Sequence, residues 1–149
     1  MTTREACAQA FIQQAGWAHA TRHVLAGDAS NRRYDRLTRS DGSSVVLMDA
    51  PPDKGEDVRP FMHIAEWLGR QGLSAPKIYN ADVENGFLLI EDLGDALFGK
   101  LMVETPEATM PLYVAATDVL IQLHQMPPPK LPVCDTDWLL DATQLVFDW

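Results

Sequence analysis

Two short, mostly apolar segments, Ser44–Met48 and Gly86–Ile90, restrict the fold more than any other feature of this sequence. Each is too short for a stable helix and is rich in the branched and aromatic side chains that strands prefer. Turn formers precede both segments, at positions 40–43 and at the dipeptide 85–86. Because an Asn-Gly dipeptide between apolar runs is typical of a tight turn, each segment is expected to be the second strand of a hairpin.

The first strands of these hairpins are predicted on the other side of each turn, at Tyr34–Thr38 and Pro76–Asn80. Their polar and apolar residues alternate or mix, as expected for strands with one solvated face. A short apolar run at His23–Leu25 adds one more candidate strand. The sequence therefore predicts an antiparallel sheet of about five strands.

Helical spacing of apolar residues occurs before, between and after these strands. In the first helix Ala6, Ala10, Phe11 and Gln14 follow that spacing. In the second and fourth helices the expected inward residues are Phe61, Ile64, Ala65 and Leu68, and Leu112, Ala115, Ala116, Val119, Leu120 and Leu123. The predicted helices are 3–16, 59–71, 96–102, 111–125 and 138–149.

The polar segment Glu91–Gly94 separates the strand-rich part of the chain from the helical part. This order favours an α+β fold, in which a sheet with one packed helix is followed by a mainly helical region. The expected domains are 1–94 and 95–149. Since the last predicted helix stops within an apolar stripe, we expect the helical region to be truncated in this chain.

Composition excludes several classes of partner. The 149 residues include 12 Lys and Arg against 21 Asp and Glu, a formal charge of -9, which argues against nucleic-acid binding. No apolar run approaches a membrane span, and the N-terminus lacks the apolar core of a signal peptide. The two cysteines, Cys7 and Cys134, have no metal-binding or redox spacing. A cytoplasmic protein with small-molecule ligands is expected.

The turn-rich segment Gly27–Asn31 is a candidate anion-binding loop because small residues let backbone N–H groups approach phosphate oxygens. The side chains of Ser30 and Asn31 offer further donors, and Arg32 or Arg33 offers positive charge. An ordinary hairpin connection with solvated polar residues is the alternative interpretation. Residue composition by itself favours that alternative.

Three segments in order resemble the aminoglycoside phosphotransferase and choline kinase-like superfamily, which has a protein-kinase-like fold. They are the loop and strand 27–37, the strand and turn 45–52, and the segment 86–95. The nearest likeness is to bacterial kinases that phosphorylate N-acetylmuramate and N-acetylglucosamine at the anomeric position. The resemblance implies an N-terminal lobe plus the start of a C-terminal lobe, with ATP and Mg²⁺ as cofactors of the complete protein.

The same resemblance assigns roles to residues. It implies that the backbone of the hinge segment, Glu91 to Leu93, binds the adenine edge, although Asp92 is also a candidate helix cap. An apolar lining for the purine would come from Leu25, Val46 and Ile90, which are equally good core residues. The predicted nucleotide-binding residues are Gly27, Asp28, Ala29, Ser30, Asn31, Arg33, Val46, Met48, Glu91, Asp92 and Leu93.

The sequence departs from kinases at the third strand, where a basic residue normally pairs with the α- and β-phosphates. Met48, or Asp49 if the register slips, stands at that position. Arg33 or Arg36 is the predicted replacement. Glu66 lies where kinases keep the glutamate that orients the strand lysine, but without the lysine a solvated helix residue is the simpler interpretation.

A catalytic loop is not recognised. The family implied by the resemblance carries a His-Gly-Asp loop, whereas His19, His23, His63 and His124 are followed by Ala, Val, Ile and Gln. No catalytic residue or metal ligand is therefore assigned, and whether this chain acts as an enzyme stays open. Two alternatives remain: a noncatalytic nucleotide-binding or interaction module, and an unrelated α+β domain with an accidental likeness.

Overall fold

The sheet has five strands in the order β1-β2-β3-β5-β4, and every neighbouring pair is antiparallel. The computed structural model describes residues 3–27 and 30–148, and the side chains of 3–25 and 30–143. The predicted hairpins are confirmed as β2–β3 and β4–β5, and so is the α+β class. The strands are β1 Thr21–Gly27, β2 Arg33–Thr38, β3 Ser44–Asp49, β4 Ile78–Asp82 and β5 Phe87–Glu91.

Helices occur at each predicted place, and their ends lie within two residues of the predicted ends. The N-terminal cap is also confirmed, because the Thr3 side chain accepts a hydrogen bond from the Ala6 backbone N–H at 3.3 Å. The helices are α1 Arg4–Gln14, α2 Arg59–Arg70, α3 Phe98–Glu104, α4 Thr109–His124 and α5 Thr136–Asp148.

The chain divides into two compact units, Met1–Thr109 and Met110–Trp149. The whole sheet belongs to the first unit. The predicted boundary between residues 94 and 95 stays a prediction. In the second unit Leu112, Ala116 and Leu123 of α4 are half-buried, whereas the other three residues expected to point inward are exposed. No helix in the described part of the chain is long and apolar enough to cross a membrane.

One face of the sheet, which we call the α1 face, packs against helix α1. Its centre is a pair of stacked rings, Phe11 and Phe87, with centroids 5.8 Å apart. The helix buries Ala8 and Ile12 beside Phe11, while the other residues predicted from helical spacing are exposed. Alanine occurs on both the buried and the exposed side of this helix, so alanine spacing did not reveal the buried side. The buried cluster comprises Ala8, Phe11, Ile12, Trp17, Leu37, Val45, Leu47, Phe87 and Leu89.

The opposite face, which we call the α2 face, packs against α2 and the residue that precedes it. Phe61 and Met62 of this helix are partly buried against the cluster, and Ile64, Ala65 and Leu68 are half-buried as predicted. The sheet thus has a helix on each face, where the sequence predicted one packed helix. The buried cluster comprises Val46, Met48, Ala50, Val58, Leu88 and Ile90.

Gly86 locks the β4–β5 hairpin to the end of β3. Its backbone has a φ of 69°, and a Cβ atom there would lie 2.0 Å from the carbonyl oxygen of Ala50. The Ala50 N–H in turn donates to the Gly86 carbonyl at 2.9 Å. Only glycine fits this left-handed, crowded position. The close approach fixes where the chain leaves β3 and enters the turn at Pro52–Lys54.

Candidate functional site

The register of β2 and β3 decides which side chains share a face. Tyr34 lies opposite Met48, and Arg36 lies opposite Val46, so all four belong to the α2 face. Arg33 lies opposite Asp49 and belongs to the α1 face. Two arginines that looked equivalent in the sequence therefore project from opposite sides of the sheet.

The candidate anion-binding loop ends in a dense set of hydrogen bonds. Gly27 is the last residue of β1, and the predicted site residues Asp28 and Ala29 lie outside the described residues. The Asn31 backbone N–H donates to a Glu56 carboxylate oxygen at 3.0 Å, and its side-chain amide donates to the Lys54 carbonyl at 3.2 Å. The end of the loop is thereby fastened to the turn that follows β3.

The side chain of Arg32 completes this arrangement. Its Nε donates to the second Glu56 carboxylate oxygen at 2.7 Å. The pKa of Arg32 is raised, chiefly by the hydrogen bond that its side chain donates to Glu56. The Glu56 side chain is 11% exposed and that of Arg32 29% exposed, so the cation is the more accessible partner. The loop therefore ends in a fixed positive group.

The predicted apolar lining is mostly core. Met48 is completely buried, and Val46 and Ile90 are 7% and 6% exposed. Leu25, by contrast, is 38% exposed on the edge strand. Met48 therefore packs beneath the α2 face and has no surface for a ligand in this structure.

The hinge segment 91–94 leaves the sheet at the other end of the α2 face. The Glu91 N–H is taken by the Lys77 carbonyl at 2.8 Å, which continues the pairing with β4. Leu93 is 60% exposed, and within the described residues its backbone N–H and carbonyl have no partner. Its main chain is thus available to a ligand, and the role of this segment as a hinge that binds adenine stays a prediction.

Asp92 does not cap a helix, contrary to the alternative considered above. Helix α3 starts after Leu97, which makes no side-chain cap. The Asp92 carboxylate instead accepts hydrogen bonds from the Ser44 hydroxyl at 2.7 Å and from the Gly94 N–H at 3.0 Å. The Asp92 carboxylate therefore stabilises the short polar segment after β5. It does not cap α3, because that helix begins only at Phe98.

Arg36 ties the hinge to the sheet. Its terminal nitrogen donates to Asp95 and to Asp92, each at 2.9 Å. Burial by itself would raise the pKa of Asp92, but the hydrogen bonds from Arg36 and Ser44 hold it below its usual value. The hydrogen bond from Arg36 also lowers the pKa of Asp95, and both carboxylates raise that of Arg36. Arg36 is therefore committed to two carboxylates at the hinge.

Arg33 is not placed to replace the missing strand lysine. Its guanidinium pairs at 3.0 Å with Asp35, which is completely buried on the α1 face and is also held by Arg22 at 2.7 Å. Asp49, the other candidate for the lysine position, pairs with Arg4 at 2.6 Å on the same face. The alternation of the strands thus separates both residues from Met48.

Glu66 is exposed on α2 and makes no ion pair within the described residues. It lines an open cleft of about 620 Å³ between α2 and β4, together with Met62, Lys77 and Tyr79. The solvated interpretation fits this placement. No group of three or more His, Cys, Asp or Glu side chains suited to a metal ion exists among the described residues.

Sequence reasoning missed Glu56 and Arg4. Glu56 is near the loop only because the turn at Pro52–Lys54 brings it back to the start of β2. Arg4 lies over the Phe87 ring at 3.9 Å and reaches Asp49 from helix α1. Both contacts join residues far apart in the sequence, so no local signal indicated them.

A five-stranded antiparallel sheet that carries α2 on one face, and continues from β5 through a polar hinge into helices, is the arrangement of a kinase-like N-terminal lobe. The family model described as phosphotransferase enzyme family matches residues 21–149. The chain belongs to this family.

Individual relatives agree with the family. The chain is 37% identical to an N-acetylmuramate/N-acetylglucosamine kinase of Caulobacter vibrioides, over 86% of this chain and 42% of that protein. It is also 37% identical to a protein of the same name in Pseudomonas aeruginosa, over 97% of this chain and 43% of that protein. The chain thus spans less than half the length of these relatives.

Proposed function

We propose that this chain forms the ATP-binding part of a phosphotransferase that moves the γ-phosphate of ATP to a hydroxyl group of an amino sugar. The observation that carries the proposal is the placement of two complementary groups at opposite ends of the α2 face. A positive charge held by Glu56 lies at the loop end, at Arg32. Unpaired main-chain groups of Leu93, among the described residues, lie at the hinge end.

The spacing of these ends suits a nucleotide. Along β2, the level of Arg33 and the level of Thr38 are five residues apart, which corresponds to roughly 17 Å at the rise of an antiparallel strand. A nucleoside triphosphate extended from base to terminal phosphate covers a span of this size. The base would contact the hinge backbone, and Val46 and Ile90 would support it from the sheet.

The proposed nucleotide-binding set keeps most of the predicted residues. Gly27, Ser30 and Asn31 contribute the loop, together with the predicted residues Asp28 and Ala29, and the hinge contributes Glu91, Asp92 and Leu93. Asp92 acts by holding the hinge through Ser44 and Arg36. Met48 supports the face from below, and Arg33 is left out because it lies on the other face.

ATP supplies the phosphoryl group, and the residues of this chain bind and orient it. Mg²⁺ accompanies ATP in this chemistry, but the described residues offer no ligand cluster for it. The amino-sugar acceptor is proposed from the names of the relatives. A cytoplasmic location, where ATP is available, is part of the same proposal.

Binding of ATP and of adenosine to the purified protein, measured by titration calorimetry with Mg²⁺ present, tests the nucleotide part. We expect ATP to bind more tightly than adenosine, because only ATP reaches the loop end. If neither ligand binds, the proposal of a nucleotide site is wrong, and an interaction module becomes the better account.

Because no catalytic residue is assigned in this chain, the acceptor is tested separately on a protein that contains this chain and extends to the length of its relatives. The assay measures ATP consumption with N-acetylglucosamine or N-acetylmuramate against choline and an aminoglycoside. Turnover with the amino sugars and not with the other alcohols is expected. Turnover restricted to choline or the aminoglycoside would contradict the proposed amino-sugar acceptor. It would not contradict the proposed nucleotide site.

A further inference from the structure

Kinase chemistry needs a cation at the α- and β-phosphates, and the third strand of this chain does not supply one. The position holds Met48, which is apolar and completely buried. We propose that Arg32, held in place by Glu56, is the residue that contacts the phosphates on this chain. The inference rests on the proposed function, since it names the cation of that nucleotide site.

Three arginines near β2 are candidates, and the structure distinguishes them. Arg33 is on the opposite face and is committed to the buried carboxylate of Asp35. Arg36 is on the correct face, but it is at the hinge end and serves two carboxylates. Arg32 remains, next to the loop.

Arg32 is assigned to the α2 face by its position. It immediately precedes β2 and is two residues before Tyr34, and side chains two apart along an extended segment share a face. Tyr34 packs against the buried cluster of the α2 face and lies opposite Met48. Arg32 is therefore beside the strand position that a lysine would otherwise occupy.

Glu56 positions this cation. Its carboxylate uses one oxygen for Arg32 Nε and the other for the Asn31 backbone N–H. The guanidinium has further N–H donors in the same plane, which are suited to two oxygens of a phosphate group. Because Glu56 is mostly buried, the pair is less screened by solvent than a surface ion pair. An arginine fixed by a buried glutamate performs the role of the lysine–glutamate pair of kinases.

The test compares ATP and adenosine affinities of Arg32→Gln with those of Arg33→Gln, the neighbouring arginine on the other face. Arg59→Gln controls for the loss of charge alone, because it removes an exposed arginine whose partner among the described residues is Asp57. Thermal unfolding of each variant confirms that it folds. Arg32→Gln is expected to weaken ATP binding by roughly tenfold or more and to leave adenosine affinity unchanged.

Glu56→Gln keeps an acceptor for the Asn31 N–H but loses the charge that orients Arg32. We expect a smaller loss of ATP affinity, again without a change for adenosine. Arg32→Lys should restore only part of the ATP affinity, since lysine lacks the planar fork. A purely structural role of Glu56 would instead change both ligands equally.

Equal ATP affinities of the Arg32→Gln and Arg33→Gln variants would overturn the assignment, even if the unmodified protein binds ATP. A greater loss for Arg33→Gln would also overturn it and would favour the opposite face. If the unmodified protein binds neither ATP nor adenosine, the proposed function itself fails, and the assignment of Arg32 fails with it.

Discussion

The two faces of the sheet use charged residues differently. On the α1 face, Asp35 and Asp49 are enclosed by the arginines of neighbouring elements, and the carboxylate of Asp35 has no exposed surface. On the α2 face, the charged groups stand at the two ends of an apolar cluster, at Glu56 and Arg32 near the loop and at Arg36 near the hinge.

The difference distinguishes structural from ligand-binding charge. A buried carboxylate between two arginines has little capacity to bind anything else, so the pairs of the α1 face fasten α1 and β1 to the sheet. An arginine with one carboxylate partner and an exposed edge retains donors for a ligand. Loss of α1-face residues should therefore reduce stability, whereas loss of the Arg32 charge at the loop end of the α2 face should reduce nucleotide affinity.

The largest effect is expected for Phe87→Ala. This ring is completely buried, stacks on Phe11 and lies under the Arg4 guanidinium. Its removal should lower the free energy of unfolding by about 3–5 kcal/mol, measured by urea denaturation. Phe98→Ala, at a ring that is 46% exposed on α3, is the control and should change stability by less than about 1 kcal/mol. An unchanged Phe87→Ala protein would contradict the packing of the α1 face.

Met48→Lys restores the residue type that kinases carry on the third strand. Because the side chain is completely buried, an unpaired ammonium group there should lower the free energy of unfolding by roughly 3 kcal/mol. Met48→Leu conserves volume and should cost less than about 1.5 kcal/mol. If the lysine variant is as stable as the leucine variant and binds ATP more tightly, the position opens to the nucleotide and Met48 is not core.

Asp92→Asn removes the charge that holds the hinge to Arg36 and Ser44. We expect a loss of about 1–2 kcal/mol in the free energy of unfolding at neutral pH. The folded protein depresses the pKa of Asp92, so its stabilising contribution is present above the unfolded value of about 3.9. That contribution is lost as the pH falls below this value through the folded pKa.

Chemical denaturation at several pH values checks the hinge prediction. The stability difference between the unmodified protein and Asp92→Asn should shrink as the pH is lowered from 5 toward about 3. A difference that stays constant across this range would show that the carboxylate charge does not hold the hinge.

The smallest effect is expected at Leu93, because recognition by the hinge is proposed to use its main chain. Leu93→Ala should leave adenosine affinity within roughly twofold, whereas Leu93→Pro, which removes the N–H, should weaken it by roughly tenfold. Titration of both variants with adenosine measures this. Equal losses in the two variants would indicate recognition by the side chain.

Most of the fold was predictable, because strands and helices have local signatures. The apolar segments at β3 and β5, each next to a turn, fixed both hairpins, and every helix lay within two residues of its predicted ends. The buried side of α1 was not predictable, since its alanines lie on both the buried and the exposed side of the helix. The sequence analysis also did not assign the residues of β2 to the two faces of the sheet. The β2–β3 turn specifies the register that decides this assignment.

The site was predicted less completely than the fold. The loop and the hinge were predicted as a nucleotide site because a resemblance covered them, and that assignment stays a prediction. Glu56 was missed because it reaches the loop through the turn at Pro52–Lys54. Arg33 was preferred to Arg32 because composition does not distinguish adjacent arginines on opposite faces. To assign each arginine to a face of the sheet, the pairing register of β2 and β3 must be known, and that register is a property of the paired strands.

Hydrogen exchange of backbone amides, with and without a nonhydrolysable ATP analogue and Mg²⁺, tests the central claim most directly. We predict slower exchange at residues 91–94, and unchanged exchange around Arg4 and Asp49. The opposite face has its own cleft of about 270 Å³, lined by Arg4, Asn31, Arg33 and Asp49 among others, so protection of Asn31 does not distinguish the two faces. Protection confined to that cleft would contradict the account and place the nucleotide on the α1 face.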